Sequence, residues 1–89
     1  MKVLETDGLK IEIEDLSGQV YYNGDGKRVS GEELEKELVE QVLNLKELLR
    51  EKGYKRVQIA TIQYFYMHRL TRGRFIPLNT MFLARLLKR

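Results

Sequence analysis

Side chains able to do acid–base or nucleophilic chemistry are nearly absent from this 89-residue chain, which has one histidine, His68, and no cysteine. A catalytic imidazole works through a partner at hydrogen-bond distance, yet no Asp or Glu lies within sixteen residues of His68 along the sequence. A lone histidine on the polar side of an amphipathic segment reads as a surface or hydrogen-bonding group. The stretch Asn23-Gly24-Asp25-Gly26-Lys27 has the glycines and lysine of a phosphate loop but neither its spacing nor its following Ser or Thr. It also has too few acids for a calcium loop. A turn is the expectation there. No catalytic residue, metal ligand set, cofactor or small-molecule substrate is expected, and the chain reads as a non-enzyme.

The charges suggest a different chemistry. Residues 1–53 hold eight Lys or Arg and thirteen Asp or Glu, a balance of −5. Residues 54–89 hold eight Lys or Arg and no acid, a balance of +8, and the two sum to the chain's +3. Six of the eight aromatic residues share the basic part, three of them consecutive at Tyr64, Phe65 and Tyr66. So sharp a division favours an anionic partner, nucleic acid first and DNA before RNA. Lys55, Arg56, Arg69, Arg72 and Arg74 are the candidates for phosphate contact, and Gln58, Thr61 and Phe65 for the bases. Arg85, Lys88 and Arg89 are explained more simply as cations at a helix C-terminus.

The length fits one small domain, 1–89, burying about two-thirds of the surface its unfolded form exposes. Dimerisation would reinforce so small a core, and a homodimer is expected. No disulfide is available, in keeping with a reducing, cytoplasmic setting. Acids and Gly8 interrupt the N-terminus before a signal peptide's apolar core could form. No run approaches a membrane span. Abundant Glu and Lys with one Pro and no Cys or Trp give a thermophile-like composition.

The elements that must position these side chains follow from periodicity. Leu9-Lys10-Ile11-Glu12-Ile13-Glu14 alternates as a half-buried strand does, and Asp7-Gly8 before it suits a hairpin to Lys2–Glu5. Gln19–Tyr22 and Lys27–Val29 add short strands, so residues 1–29 read as an antiparallel meander. Ser30-Gly31-Glu32-Glu33 is a capping box. Leu34, Leu38, Val42, Leu45 and Leu49 then recur at helical spacing, predicting one long acidic amphipathic helix over about Gly31–Lys52, with Lys52 at its negative end and Gly53 closing it. Residues 30–53 are thus the acidic helix and 54–89 a basic helical part. Over residues 55–72 a strand is open, since Val57, Ile59, Thr61 and Ile62 suit one. Helical winding is favoured, because it gathers Lys55, Gln58, Thr61, His68, Arg69 and Arg72 on one side. Arg74–Pro77 reads as an extended connector. A last helix from about Leu78 has Leu78, Phe82, Leu83, Leu86 and Leu87 on its apolar face. The fold class expected is α+β: an N-terminal β-meander, a long amphipathic helix and two basic C-terminal helices.

The relative spacing of Leu48, Gly53, Ile59 and Ile62 resembles the helix-turn-helix of bacterial and archaeal DNA-binding regulators. The resemblance covers about twenty residues, and Leu49 departs from it where such motifs carry a small residue. It implies that the helix containing Gln58, Thr61, Phe65 and Arg69 enters the major groove, with Arg72 and Arg74 near phosphates. In the helical register Phe65 lies amid the polar side, as a stacking platform or an apolar dimer contact. Ile59–Tyr66 also resembles, loosely, a sliding-clamp-binding peptide, though Ile59 stands where that motif has Gln. The leading expectation is a small non-enzymatic nucleic-acid-binding protein, for which the resemblance implies a DNA-binding regulator of helix-turn-helix type. Its rival is an interaction or assembly protein, in which the basic part meets an acidic protein surface or the acidic helix of a second copy.

Overall fold

The computed structural model describes residues 1–89, and its centre is a five-stranded sheet that takes in the C-terminal part of the chain. Strand β1 (Lys2–Thr6) turns at Asp7-Gly8 into β2 (Leu9–Ile13), with φ of 48° and 83° at the two turn residues. Both values lie in the left-handed region of a two-residue hairpin turn. Beside β2 runs β5 (Arg56–Thr61) in parallel, followed by β7 (Phe82–Leu87) and the edge strand β6 (Arg74–Pro77), both pairings antiparallel. The order is β1-β2-β5-β7-β6. A separate ribbon of β3 (Val20–Tyr22) and β4 (Arg28–Ser30) leads into the helices.

Ser30 caps α1 (Gly31–Leu43), its hydroxyl accepting from the Glu33 N–H at 3.2 Å. The chain then bends through Asn44 and Leu45 into α2 (Lys46–Glu51), and Gly53, at φ 84°, lets it leave. The single long helix expected from periodicity is therefore two helices. Leu34, Leu38 and Val42 of α1 and Leu49 of α2 are buried against Leu9, Ile11, Ile13, Val57, Ile59, Phe82, Ala84 and Leu86. Both helices thus cover one face of the sheet. The short α3 (Ile62–Met67) packs on the other face, where Phe65 meets Phe75 edge-on with ring centroids 5.2 Å apart.

The expected arrangement of a meander, one long helix and two basic C-terminal helices is overturned. Residues 1–29 are not a meander, because β1–β2 joins the main sheet while β3–β4 stands apart. Residues 56–61 are a strand rather than part of a helix. The polar side chains that make a strand look unfavourable have partners on the far face. Arg56 forms two hydrogen bonds to one Glu12 oxygen, at 3.0 and 3.1 Å, and Gln58 accepts from Arg85 at 3.0 Å. Arg74–Pro77 is an edge strand rather than a connector, a place that tolerates the missing N–H of Pro77. The last element is also a strand. Phe82, Ala84 and Leu86 point to the core, and Leu83, Arg85 and Leu87 to the far face. The basic part is therefore mostly sheet.

With β5 a strand there is no helix-turn-helix, since nothing helical follows Gly53 until Ile62. The clamp-peptide likeness fails for a related reason. Ile59 and Phe65 are buried at 0% and 3% exposure, so a partner cannot reach them. No helix is long and apolar enough to cross a membrane.

Candidate functional site

The registers of the sheet decide which cations come together. Arg56 pairs with Leu87, and Arg74 with Leu86, so β5 begins, β7 ends and β6 begins at one end of the sheet. Lys55 lies there, its N–H donating to the Leu87 carbonyl at 2.9 Å. Lys88 and Arg89 leave β7 at the same end, Arg72 and Arg74 enter β6, and Lys52 closes α2 just before Tyr54. Lys52, Lys55, Arg72, Arg74, Lys88 and Arg89 are all exposed, and none forms an ion pair. Of the other cations, Lys2 pairs with Glu35, Lys46 with Asp7, Arg50 with Glu47 and Arg56 with Glu12, whereas Lys10, Lys27, Arg28 and Lys36 form no ion pair but are spread over other parts of the fold. The Lys46 ammonium, hydrogen-bonded to Asp7 at 2.7 Å, holds the Asp7 carboxyl below its usual value.

The candidates named from sequence divide into three groups. Lys55, Arg72 and Arg74 share the basic end. Arg69 is exposed and unpaired but lies on the loop after α3, on the far face. Arg56 is at the basic end, yet its guanidinium is committed to Glu12 and to the Arg89 carbonyl. Gln58 lies on the far face, held by Arg85, whose guanidinium also donates to the Arg72 carbonyl. Thr61 caps α3, its hydroxyl accepting from the Tyr64 N–H at 3.0 Å. Phe65 is not exposed: it is buried against Tyr64 and Phe75 and offers no surface for a base.

Phe65→Ala removes the anchor of α3 and should cost about 3–4 kcal/mol in urea denaturation. Arg69 is one of two non-glycine residues at positive φ, 53°. Arg69→Gly relieves that conformation and should stabilise the fold by about 0.5–1 kcal/mol, whereas Arg69→Ala keeps the strain. Denaturant midpoints of the two variants check this.

Sequence reasoning missed a groove at the basic end. Leu48, Leu49 and Lys52 of α2, with Tyr54, form one wall, and Arg74, Phe75, Ile76, Leu86 and Lys88 the other, around about 540 Å³. The Lys88 ammonium stands 5.4 Å from the centre of the Tyr54 ring. Lys52 and Lys88 are thus walls of the groove rather than mere complements to helix dipoles. Strand alternation over Phe82–Leu87 carries the missing signal, because it sends Lys88 to the face of Leu86. His68 packs on Tyr64 with ring centroids 4.3 Å apart. No group of three or more His, Cys, Asp or Glu is placed to hold a metal ion. Asn23 organises the β3–β4 turn, its side-chain oxygen accepting from the N–H groups of Asp25 and Lys27 at 3.0 and 2.9 Å.

Compared with protein-family models, with curated proteins and with solved structures, the chain matches none at a significant level.

Proposed function

We propose that this chain is a small non-enzymatic nucleic-acid-binding protein that meets phosphate with the basic end of its sheet. The observation that carries the reading is the convergence of Lys52, Lys55, Arg72, Arg74 and Lys88 there, exposed and without ion pairs. Free cations on one surface exchange condensed counterions for phosphates, which makes binding tight at low salt and steeply salt-dependent. The acidic outer side of α1, with Glu32, Glu33, Glu37 and Glu40 exposed, keeps polyanions to that end. Fluorescence anisotropy of labelled DNA across a salt series tests the proposal. Micromolar or tighter binding that weakens linearly in log–log form supports it. No binding at low salt overturns it.

A second reading, self-association, is favoured by one observation. Ile62, Tyr66, Met67 and Met81 are 36%, 75%, 72% and 49% exposed around α3, an apolar surface of the kind that marks interfaces. Light scattering tests it: a homodimer through this patch should resist salt and dissociate in a Tyr66→Glu, Met67→Glu variant.

A further inference from the structure

We infer that the groove between α2 and the β6–β7 edge receives an unpaired base of single-stranded nucleic acid. The inference rests on the nucleic-acid reading above and narrows it to single strands. The groove combines two chemistries on one surface. Lys52, Arg74 and Lys88 give it cations, while Leu48, Ile76 and Leu86 give it apolar walls, with no Asp or Glu in its lining. At about 540 Å³ it falls within the ~300–1,000 Å³ range of small-ligand sites. Leu48 is 48% exposed and lines the groove with the three cations. Phosphates alone would need only the cations. A nucleotide whose base has left the stack uses both features, as single-strand binders do when they track the backbone electrostatically and bury bases against apolar or aromatic groups.

The rest of the molecule argues against a duplex. Reading a major groove takes a basic helix or a two-stranded ribbon. The α1 helix carries five Glu against one Lys, α3 has no cation, and both cations of α2 are ion-paired. The β3–β4 ribbon has strands of three residues and Asp25 in its turn. None of these elements suits the major groove of DNA.

Anisotropy with three probes of one sequence tests the inference: a short single-stranded DNA, the same strand in duplex, and the strand with abasic sites in place of its bases. The single strand should bind about tenfold more tightly than either of the others at equal salt. Leu48→Gln leaves charge unchanged at a half-exposed position and should erase that preference, whereas Leu48→Met should retain it. A fluorescent base analogue in the strand should change emission on binding to wild type and not to Leu48→Gln. If all three probes bind equally and Leu48→Gln matches wild type, the base-binding groove is wrong while the phosphate-binding surface stands. If no probe binds at low salt, both readings fall.

Discussion

Replacing Lys55, Arg72 and Arg74 together with alanine should weaken binding to DNA on the order of 100-fold at low salt. It should also lower the slope of log K against log[salt] by about 0.7 for each phosphate of a single strand that is no longer neutralised. The three side chains are exposed, share the end of the sheet where β5 and β6 begin, and form no ion pairs. Their removal therefore leaves the core alone, and the melting temperature should barely move. A control separates a local surface from bulk charge. Lys27, Arg28 and Lys36 are likewise exposed and without ion pairs but lie outside the basic end, on the β3–β4 ribbon and the first half of α1. Replacing those three with alanine lowers net charge by the same amount and should change affinity only slightly. Equal losses in the two variants would mean that net charge, not the basic end, attracts the polymer.

Gly31→Ala should destabilise the fold by about 3 kcal/mol or more, an unusually large effect for one added methyl group. Gly31 begins α1 in buried contact with the segment after β2, and its N–H donates to the Gln19 carbonyl at 3.0 Å. A Cβ on Gly31 would lie 1.7 Å from the Leu16 carbonyl oxygen and 2.5 Å from its carbon. Those atoms are backbone, so relief requires moving either the start of the helix or the buried Leu16. For a domain of this size the loss corresponds to a fall in melting temperature on the order of 15 °C. Gly24→Ala serves as the control. A Cβ there meets nothing within 4 Å, and its φ lies outside the left-handed region. Thermal melts of the two variants by circular dichroism should differ sharply. A Gly31→Ala protein that melts like wild type would show that α1 does not start against Leu16 as described.

The parts of the fold legible in sequence are those with a strictly local cause. Leu9, Ile11 and Ile13 alternate with charged residues, Asp7-Gly8 accepts positive φ, Ser30 and Glu33 have capping spacing, and Gly53 ends a helix; each feature is present in the structure. The C-terminal part misleads because spacings of four residues belong to both periods. Phe82 and Leu86 share a face in a helix and in a strand, as do Leu83 and Leu87. The residue that distinguishes the two is Ala84, whose small side chain gives little signal in either. In β5 the deciding interactions are distant. Arg56 finds Glu12 forty-four residues away and Gln58 finds Arg85 twenty-seven away, and neither is visible to a local window. Winding residues 55–72 as one helix turns Phe65 outward. The actual helix starts at Ile62 under the Thr61 cap, and this turns Phe65 inward. For the candidate site, composition alone reveals that the charges divide. Which cations converge depends on strand register, so the sequence points to Lys55, Arg72 and Arg74 but not to Lys52, Lys88 and Leu48.

Amide-resolved NMR titration of the intact protein with short single-stranded DNA tests the central claim most directly, because it reports position as well as affinity. Shift changes should concentrate at residues 48–56, 72–76 and 86–89, and the outer side of α1 should stay silent. Changes centred on α1 or on the β3–β4 ribbon, or no changes at low salt, would contradict a phosphate-binding surface at the basic end of the sheet.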